Sequence, residues 1–183
     1  MSTGADGAVR PVVFRQTSAV LVPVAVWIFC FLATADAVIE GTAGYAFRVA
    51  VLMSAISYAV WLVLASPSLL VGTDGVRVVN PFRTHWIPYA ALDTVRVRGL
   101  VTLDVRRAPG RIGAVTSWNA PGLTRGQTTT ASPVVDTVER LRGAWDRAHP
   151  GGDGAAIVGI SWRWRPILGL VVLLTGNIAI WLR

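Results

Sequence analysis

The side chains that could carry chemistry in this chain are few and lie far apart. His85 and His149 are its two histidines, and Cys30 is its one cysteine. A metal site or a nucleophilic catalytic centre needs several such groups at a fixed spacing, with carboxylates or further cysteines nearby. Neither histidine has such a cluster around it, and Cys30 has no partner in the chain for a disulfide. We therefore expect no enzymatic activity, no bound metal and no cofactor.

The carboxylates of the central segment also lack a catalytic arrangement. Asp74 lies in a Gly-Thr-Asp-Gly turn, and Asp93 precedes a strand-like run. Asp104 alternates with apolar residues, so we expect it to face water. The sequence has no glycine-rich phosphate loop, and residues 151–154 lack the further acids of a calcium loop.

Arginine and tryptophan are the residue types that indicate a surface chemistry. All 17 basic residues are arginine, against 10 acidic residues, and the formal net charge is +7. In 161–166, Ser-Trp-Arg-Trp-Arg-Pro, the indole rings favour the headgroup level of a membrane, the guanidinium groups favour phosphates, and proline suits the first turn of a helix. We predict a membrane-interface anchor, repeated at the other end of the following segment, with these members: Trp162, Arg163, Trp164, Arg165 and Trp181.

Three apolar stretches would hold this anchor at a membrane. The chain is 53% hydrophobic, and its mean hydropathy is +0.54. An uncharged apolar run of about 20 residues can cross a hydrocarbon core as a helix. We predict a transmembrane helical hairpin over 16–66 and a third transmembrane helix over 166–183.

The distribution of arginine predicts the orientation of these spans. Arg10 and Arg15 precede the first span, and further arginines follow the second, which the positive-inside rule assigns to the cytoplasm. We expect a cytoplasmic tail over 1–15, a cytoplasmic central domain and an external C-terminus in the inner (plasma) membrane. A competing hypothesis is cleavage of a signal peptide at Ala33-Thr34-Ala35. The central domain would stay cytoplasmic in either case.

The segment between the second and third spans alternates apolar and polar residues. We predict six short strands, over 69–71, 76–79, 84–88, 94–98, 101–106 and 111–118, and a loop over 119–131. One helix then begins with Ser132 as N-cap and Pro133 at its first position, and ends before Pro150. Its apolar stripe comprises Val134, Val138, Leu141, Trp145 and Ala148. The fold class is thus membrane α plus small β: a barrel or sandwich over 67–149 capped by one C-terminal helix, with 150–165 as linker and anchor.

Two short motifs in this segment resemble a known family. Residues 74–78, Asp-Gly-Val-Arg-Val, and 86–95, Trp-Ile-Pro-Tyr-Ala-Ala-Leu-Asp-Thr-Val, are similar to the pleckstrin-homology-like (PH-like) domains of small actinobacterial membrane proteins, one group of which is named after low molecular weight protein antigen 6. The resemblance covers about 69–149 and the preceding hairpin, and it implies a PH-like barrel closed by a single helix. Tyr89 stands where tryptophan is more usual. The chain has arginine but no lysine, and it is rich in Ala, Gly and Pro. Because these residues have GC-rich codons, the composition also fits a GC-rich bacterial genome.

These features favour two functions. The first is a non-enzymatic scaffold that presents the cytoplasmic PH-like domain to a membrane or cytoplasmic protein. The alternative is a sensor of anionic lipid headgroups through Arg83, Arg106, Arg107 and Arg111, although the hairpin tip at 72–75 lacks the basic residues of phosphoinositide binders. Nucleic acid is not an expected partner, because the arginines lie beside the apolar spans and at alternating positions of the predicted strands.

Overall fold

The computed structural model describes residues 11–15, 18–98, 100–108, 111–118, 132–151 and 157–182. The helices are α1 (Ser18–Glu40), α2 (Ala43–Val60, continued by a π-helical turn Trp61–Ala65), α3 (Pro133–Ala148) and α4 (Trp164–Trp181). The strands are β1 (Val12–Phe14), β2 (Ser68–Val71), β3 (Gly75–Val79), β4 (Arg83–Pro88), β5 (Leu92–Arg98), β6 (Leu100–Ala108), β7 (Arg111–Thr116) and β8 (Gly159–Trp162).

Within the described residues, three helices are long and apolar enough to cross a membrane: Val20–Glu40, Ala43–Ala65 and Trp164–Trp181. α2 lies between the other two, since the Trp27 indole donates to the Ser57 carbonyl oxygen at 3.3 Å and the Tyr58 hydroxyl donates to the Pro166 carbonyl oxygen at 3.2 Å. Gly169 allows this approach, because a Cβ there would lie 2.7 Å from the Tyr58 hydroxyl oxygen. The candidate cleavage motif at 33–35 lies inside α1, which continues to Glu40.

Two antiparallel sheets form the rest of the described fold. One has the strand order β1-β2-β3-β4-β8, and the other has the order β5-β6-β7. The six strands expected from the sequence correspond to β2–β7. β1 and β8 are additional strands, which come from the segments predicted as tail and anchor, so the first sheet extends beyond the predicted bounds 67–149. Both are short and lie at sheet edges, where few side chains are buried and the alternation in the sequence is weak.

The core lies between the two sheets and α3. It combines Leu69, Val71, Val76, Val78 and Ile87 of the first sheet, Val97, Val101, Leu103 and Val105 of the second, and Val134, Val135 and Val138 of α3. Leu141 and Trp145 pack against it, whereas Ala148, expected in the same stripe, is exposed. α3 begins at Pro133 as expected, but the Ser132 side chain makes no capping hydrogen bond within the described residues.

The expectation that Asp104 faces water is wrong, because only 6% of its surface is exposed. Its carboxylate accepts hydrogen bonds from the Arg96 guanidinium and, at 2.9 Å, from the Thr94 hydroxyl on the neighbouring strand. The Arg96 hydrogen bond holds the pKa of Asp104 below its ordinary value and outweighs burial, which acts to raise it. The alternating pattern correctly predicted that Asp104 lies on the outer face of β6. Thr94 and Arg96 of β5 cover it on that face.

We predict that Asp104→Asn destabilises the full chain by about 1–3 kcal/mol at neutral pH, because the amide replaces a charged hydrogen-bond acceptor. The folded-state pKa lies below the unfolded one, so this stabilisation is present at neutral pH and is lost as pH falls below about 4. Thermal unfolding in non-ionic detergent, followed by tryptophan fluorescence from pH 7 to 3, measures both effects. The matched control is Asp93→Asn, which removes a more exposed ion pair with Arg106 and should cost less than about 1 kcal/mol. Equal losses in the two variants would contradict the assignment.

Candidate membrane-interface site

Arg163 connects the helices to the sheets. Its Nη1 donates to the Ser66 hydroxyl oxygen at 2.8 Å and to the Asn80 carbonyl oxygen at 3.2 Å. Its backbone N–H donates to the Phe82 carbonyl oxygen at 3.0 Å. Ser66 follows the last turn of α2, and Asn80 and Phe82 lie in the β3–β4 turn. Arg163, expected at the headgroups, thus holds the start of α4 beside the end of α2 and this turn.

Asn80 holds the end of β7 beside the β3–β4 turn and the start of α4. Its side-chain amide donates to the Thr116 carbonyl oxygen at 3.0 Å, and its side-chain oxygen accepts from the Trp118 backbone N–H at 2.9 Å. Four exposed aromatic side chains therefore surround the start of α4, and we call them the aromatic belt: Phe82, Trp118, Trp162 and Trp164. Aromatic rings at the end of apolar helices are typical of a membrane–water interface. Phe82 and Trp118 were missed in the sequence because each is an isolated aromatic residue in a polar segment.

Arg83 lies in this belt. The register of β4 and β8 pairs Arg83 with Trp162, and its guanidinium carbon lies 4.1 Å from the centre of the indole ring. The rings of Trp162 and Trp164 stack with centroids 5.6 Å apart. A guanidinium held over an indole face keeps its N–H donors at the edge of the stack. This placement favours Arg83 as a headgroup contact.

Arg106 lies elsewhere, on β6 of the second sheet. β6 starts near the belt, since the Val101 carbonyl oxygen accepts from the Ser117 N–H at 2.8 Å. Arg106 is five residues farther, or about 17 Å along the strand. Its Nε pairs with Asp93 Oδ1 at 3.3 Å. The structure therefore does not bring it together with Arg83, and the side chains of Arg107 and Arg111 lie outside the described residues.

The remaining anchor residues lie on α4. Arg165 is exposed in its first turn. Trp181 is at the other end, where the Arg48 guanidinium of α2 lies 5.8 Å from the centre of its ring. An arginine–tryptophan pair thus marks each end of the α2–α4 pair, with Arg83–Trp162 on the side of the sheets. The separation of these pairs by about one helix length matches the two faces of a bilayer.

The other candidate groups occupy structural positions. Tyr89 is buried, and its hydroxyl donates to the Gly72 carbonyl oxygen at 2.7 Å. Burial, with a smaller contribution from Asp74, raises the pKa of Tyr89 to about 12, so this hydroxyl stays protonated at neutral pH. His149 stacks on Trp145 at the end of α3, with centroids 4.7 Å apart. Within the described residues, no three His, Cys, Asp or Glu side chains are placed to hold a metal ion.

Comparison of the chain with protein-family models, curated proteins and solved structures finds no match.

We predict that the aromatic belt lies in the headgroup layer, while the other end of β7 does not. In a Cys30→Ala background, Trp118→Cys and Ile112→Cys can each carry an environment-sensitive fluorophore. Both native side chains are exposed, at 55% and 65%, but they lie at opposite ends of the strand. In lipid vesicles the fluorophore at 118 should shift to shorter wavelength and be quenched by lipid-borne quenchers, whereas the fluorophore at 112 should behave as in water. Similar spectra at the two positions would contradict this placement of the belt.

Proposed function

We propose that this chain is a multi-pass plasma-membrane protein that presents a PH-like domain on its cytoplasmic side as a non-enzymatic docking module for a protein partner. The three apolar helices would be the membrane anchor. The hydrogen bonds of Arg163 would hold the domain at a fixed position against the membrane, because they connect the β3–β4 turn directly to the ends of α2 and α4.

The arrangement of β2–β7 and α3 supports the PH-like assignment. Two antiparallel sheets share one core with a single following helix, as the resemblance implies. The Asp-Gly motif lies in the β2–β3 hairpin, and the Ile-Pro-Tyr motif joins β4 to β5 through the short helix Tyr89–Ala91. Tyr89 packs against Trp145 of α3, with centroids 6.4 Å apart, so the motif also positions the helix.

The observation that carries the docking role is the edge of β7. Among the described strands, β7 pairs with β6 on one side and with none on the other. It contains no proline, and Ile112 is 65% exposed on its outer face. An extended segment of a partner can add to such an edge through main-chain hydrogen bonds, with side-chain contacts at alternate positions supplying specificity. Because Asn80 fixes the end of β7 at the belt, this edge begins at the membrane surface.

A specific observation also supports the second candidate, contact with anionic headgroups. Arg83 lies in the aromatic belt, where an arginine near an anionic leaflet contributes about 1 kcal/mol. Such contact would orient a domain that is already anchored, and it would weaken as ionic strength rises. The two roles are compatible, since Arg83 and the β7 edge lie on different sheets.

The pairing of β1 supports the proposed placement of the N-terminal segment and the domain on the same side of the membrane. Val12 pairs with Val71 and Phe14 with Leu69, so the segment before α1 lies at the same end of the helices as the sheets. We predict that alkaline phosphatase fused after Ala108 is inactive and that the same enzyme fused after Arg183 is active, because the domain would be cytoplasmic and the C-terminus external. Green fluorescent protein at the same two positions should give the reverse pattern. An active phosphatase fusion at Ala108 would contradict the cytoplasmic assignment.

We predict that a photoreactive benzoylphenylalanine at Ile112 forms a covalent adduct with a protein partner in intact cells. The control is the same amino acid at Glu139, which is exposed on α3 rather than on β7. An adduct from Ile112 alone, visible as a shifted band on a denaturing gel, would support docking at the edge. Equal adducts from both positions, or lipid adducts alone from Ile112, would contradict it.

A further inference from the structure

A groove runs between α1 and α2 towards the sheets. Its domain-side part has a volume of about 340 Å³, and its distal part about 540 Å³. Both parts are lined by Trp27 and Trp61, so they adjoin at these two side chains. Each volume falls within the range of sites that bind small molecules.

The α1 wall of the groove is one continuous helix face. Its members follow at spacings of three or four residues and are Val20, Val24, Trp27, Phe31 and Thr34. From Val20 to Thr34 this face is about 21 Å long, more than half of a hydrocarbon core about 30 Å thick. An acyl chain of one leaflet therefore fits along it.

The α2 wall is also a continuous helix face, with members at spacings of three or four residues. Ala50, Ser54 and Tyr58 line the distal part, and Trp61 and Ala65 line the domain-side part. The last two residues belong to the π-helical turn, in which the Ser66 N–H donates to the Trp61 carbonyl oxygen at 2.8 Å. Single π-helical turns inside α-helices are frequent at functional sites. Here the wider turn forms the wall where the groove meets the sheets.

Two arginines line the groove at this end, Arg15 before α1 and Arg163 before α4. Among the described residues, the ion pairs are Arg96–Asp104 and Arg106–Asp93, so no described carboxylate neutralises either arginine. Arg163 is already oriented, because its Nη1 bonds to Ser66 and Asn80. Its Nε and Nη2 donors have no partner in the described part of the chain.

We infer that the groove binds one anionic phospholipid, with an acyl chain along α1 and α2 and the phosphate between Arg15 and Arg163. The apolar length of the groove selects a lipid over a soluble anion. The two positive charges, which no described carboxylate neutralises, select a net negative headgroup over a zwitterionic one. This site is distinct from Arg83 and the aromatic belt. It rests on the proposed insertion of α1 and α2 in a membrane, which the fusion reporters test separately.

Native mass spectrometry of the full chain, purified in mild detergent and titrated with phosphatidylglycerol, tests the inference. We expect one tightly bound phosphatidylglycerol and weaker binding of phosphatidylcholine. Arg15→Gln should weaken phosphatidylglycerol binding about tenfold, because it removes a charge-assisted contact with the phosphate. Val24→Trp should weaken both lipids by filling the groove without a change of charge.

Two matched controls keep the result specific. Arg140→Gln removes an exposed arginine of α3 that does not line the groove, and Val22→Trp places the same bulk on another face of α1. Both controls should bind phosphatidylglycerol like the unaltered chain. Equal affinity for the two lipids, equal loss in variants and controls, or competition by inorganic phosphate at the same concentration as the lipid would each overturn the inference. Arg15→Gln and Val24→Trp both leave the Arg163 hydrogen bonds in place, so a loss of binding would not reflect separation of the sheets from the helices.

Discussion

The hydrogen bonds of one arginine, Arg163, hold the apolar helices and the sheets of this molecule together. Its guanidinium bonds to the end of α2 and to the β3–β4 turn, and its backbone N–H also donates to that turn, so the start of α4, which follows Arg163, is held beside both segments. Five donors in a rigid planar fork allow one side chain to satisfy several acceptors at once. The pairing of β8 with β4 comes directly before Arg163 in the chain, so the sheet and the guanidinium fix the start of α4 together.

The arginines of the chain have different roles, which depend on the groups that surround each of them. Arg163 is bonded internally, Arg96 covers the buried Asp104, Arg83 stacks on Trp162, and Arg106 pairs with Asp93. A net charge of +7 therefore does not translate into one uniform basic surface. Arginines paired with a carboxylate, as Arg96 and Arg106 are, add little to the attraction of an anionic membrane, whereas an arginine at the headgroup level without a carboxylate partner adds its full share.

The junction at Arg163 also relates the proposed docking edge to the membrane. Asn80 accepts and donates hydrogen bonds at the end of β7, and its carbonyl oxygen accepts from Arg163. A short chain of hydrogen bonds thus runs from the apolar helices to the strand edge. In this arrangement a phospholipid bound at Arg163 and a partner bound at β7 would contact parts of one connected structure, which would couple the proposed lipid site to the domain.

Local residue pattern determined the elements of this protein, and contacts distant in sequence determined its surfaces. The three apolar helices, the strands β2–β7 and α3 were predictable, because hydrophobic run length and the periods of two and 3.6 residues are local properties. The edge strands β1 and β8, the burial of Asp104, the gathering of Phe82 and Trp118 with Trp162, and the separation of Arg83 from Arg106 were not. Each depends on which strands pair and in what register, and that choice is made by packing between segments far apart in the chain. The anchor motif illustrates both contributions. Its tryptophans could be recognised in the sequence, but only the tertiary structure shows that Arg163 bonds to other parts of the protein and that Arg83 stacks on Trp162.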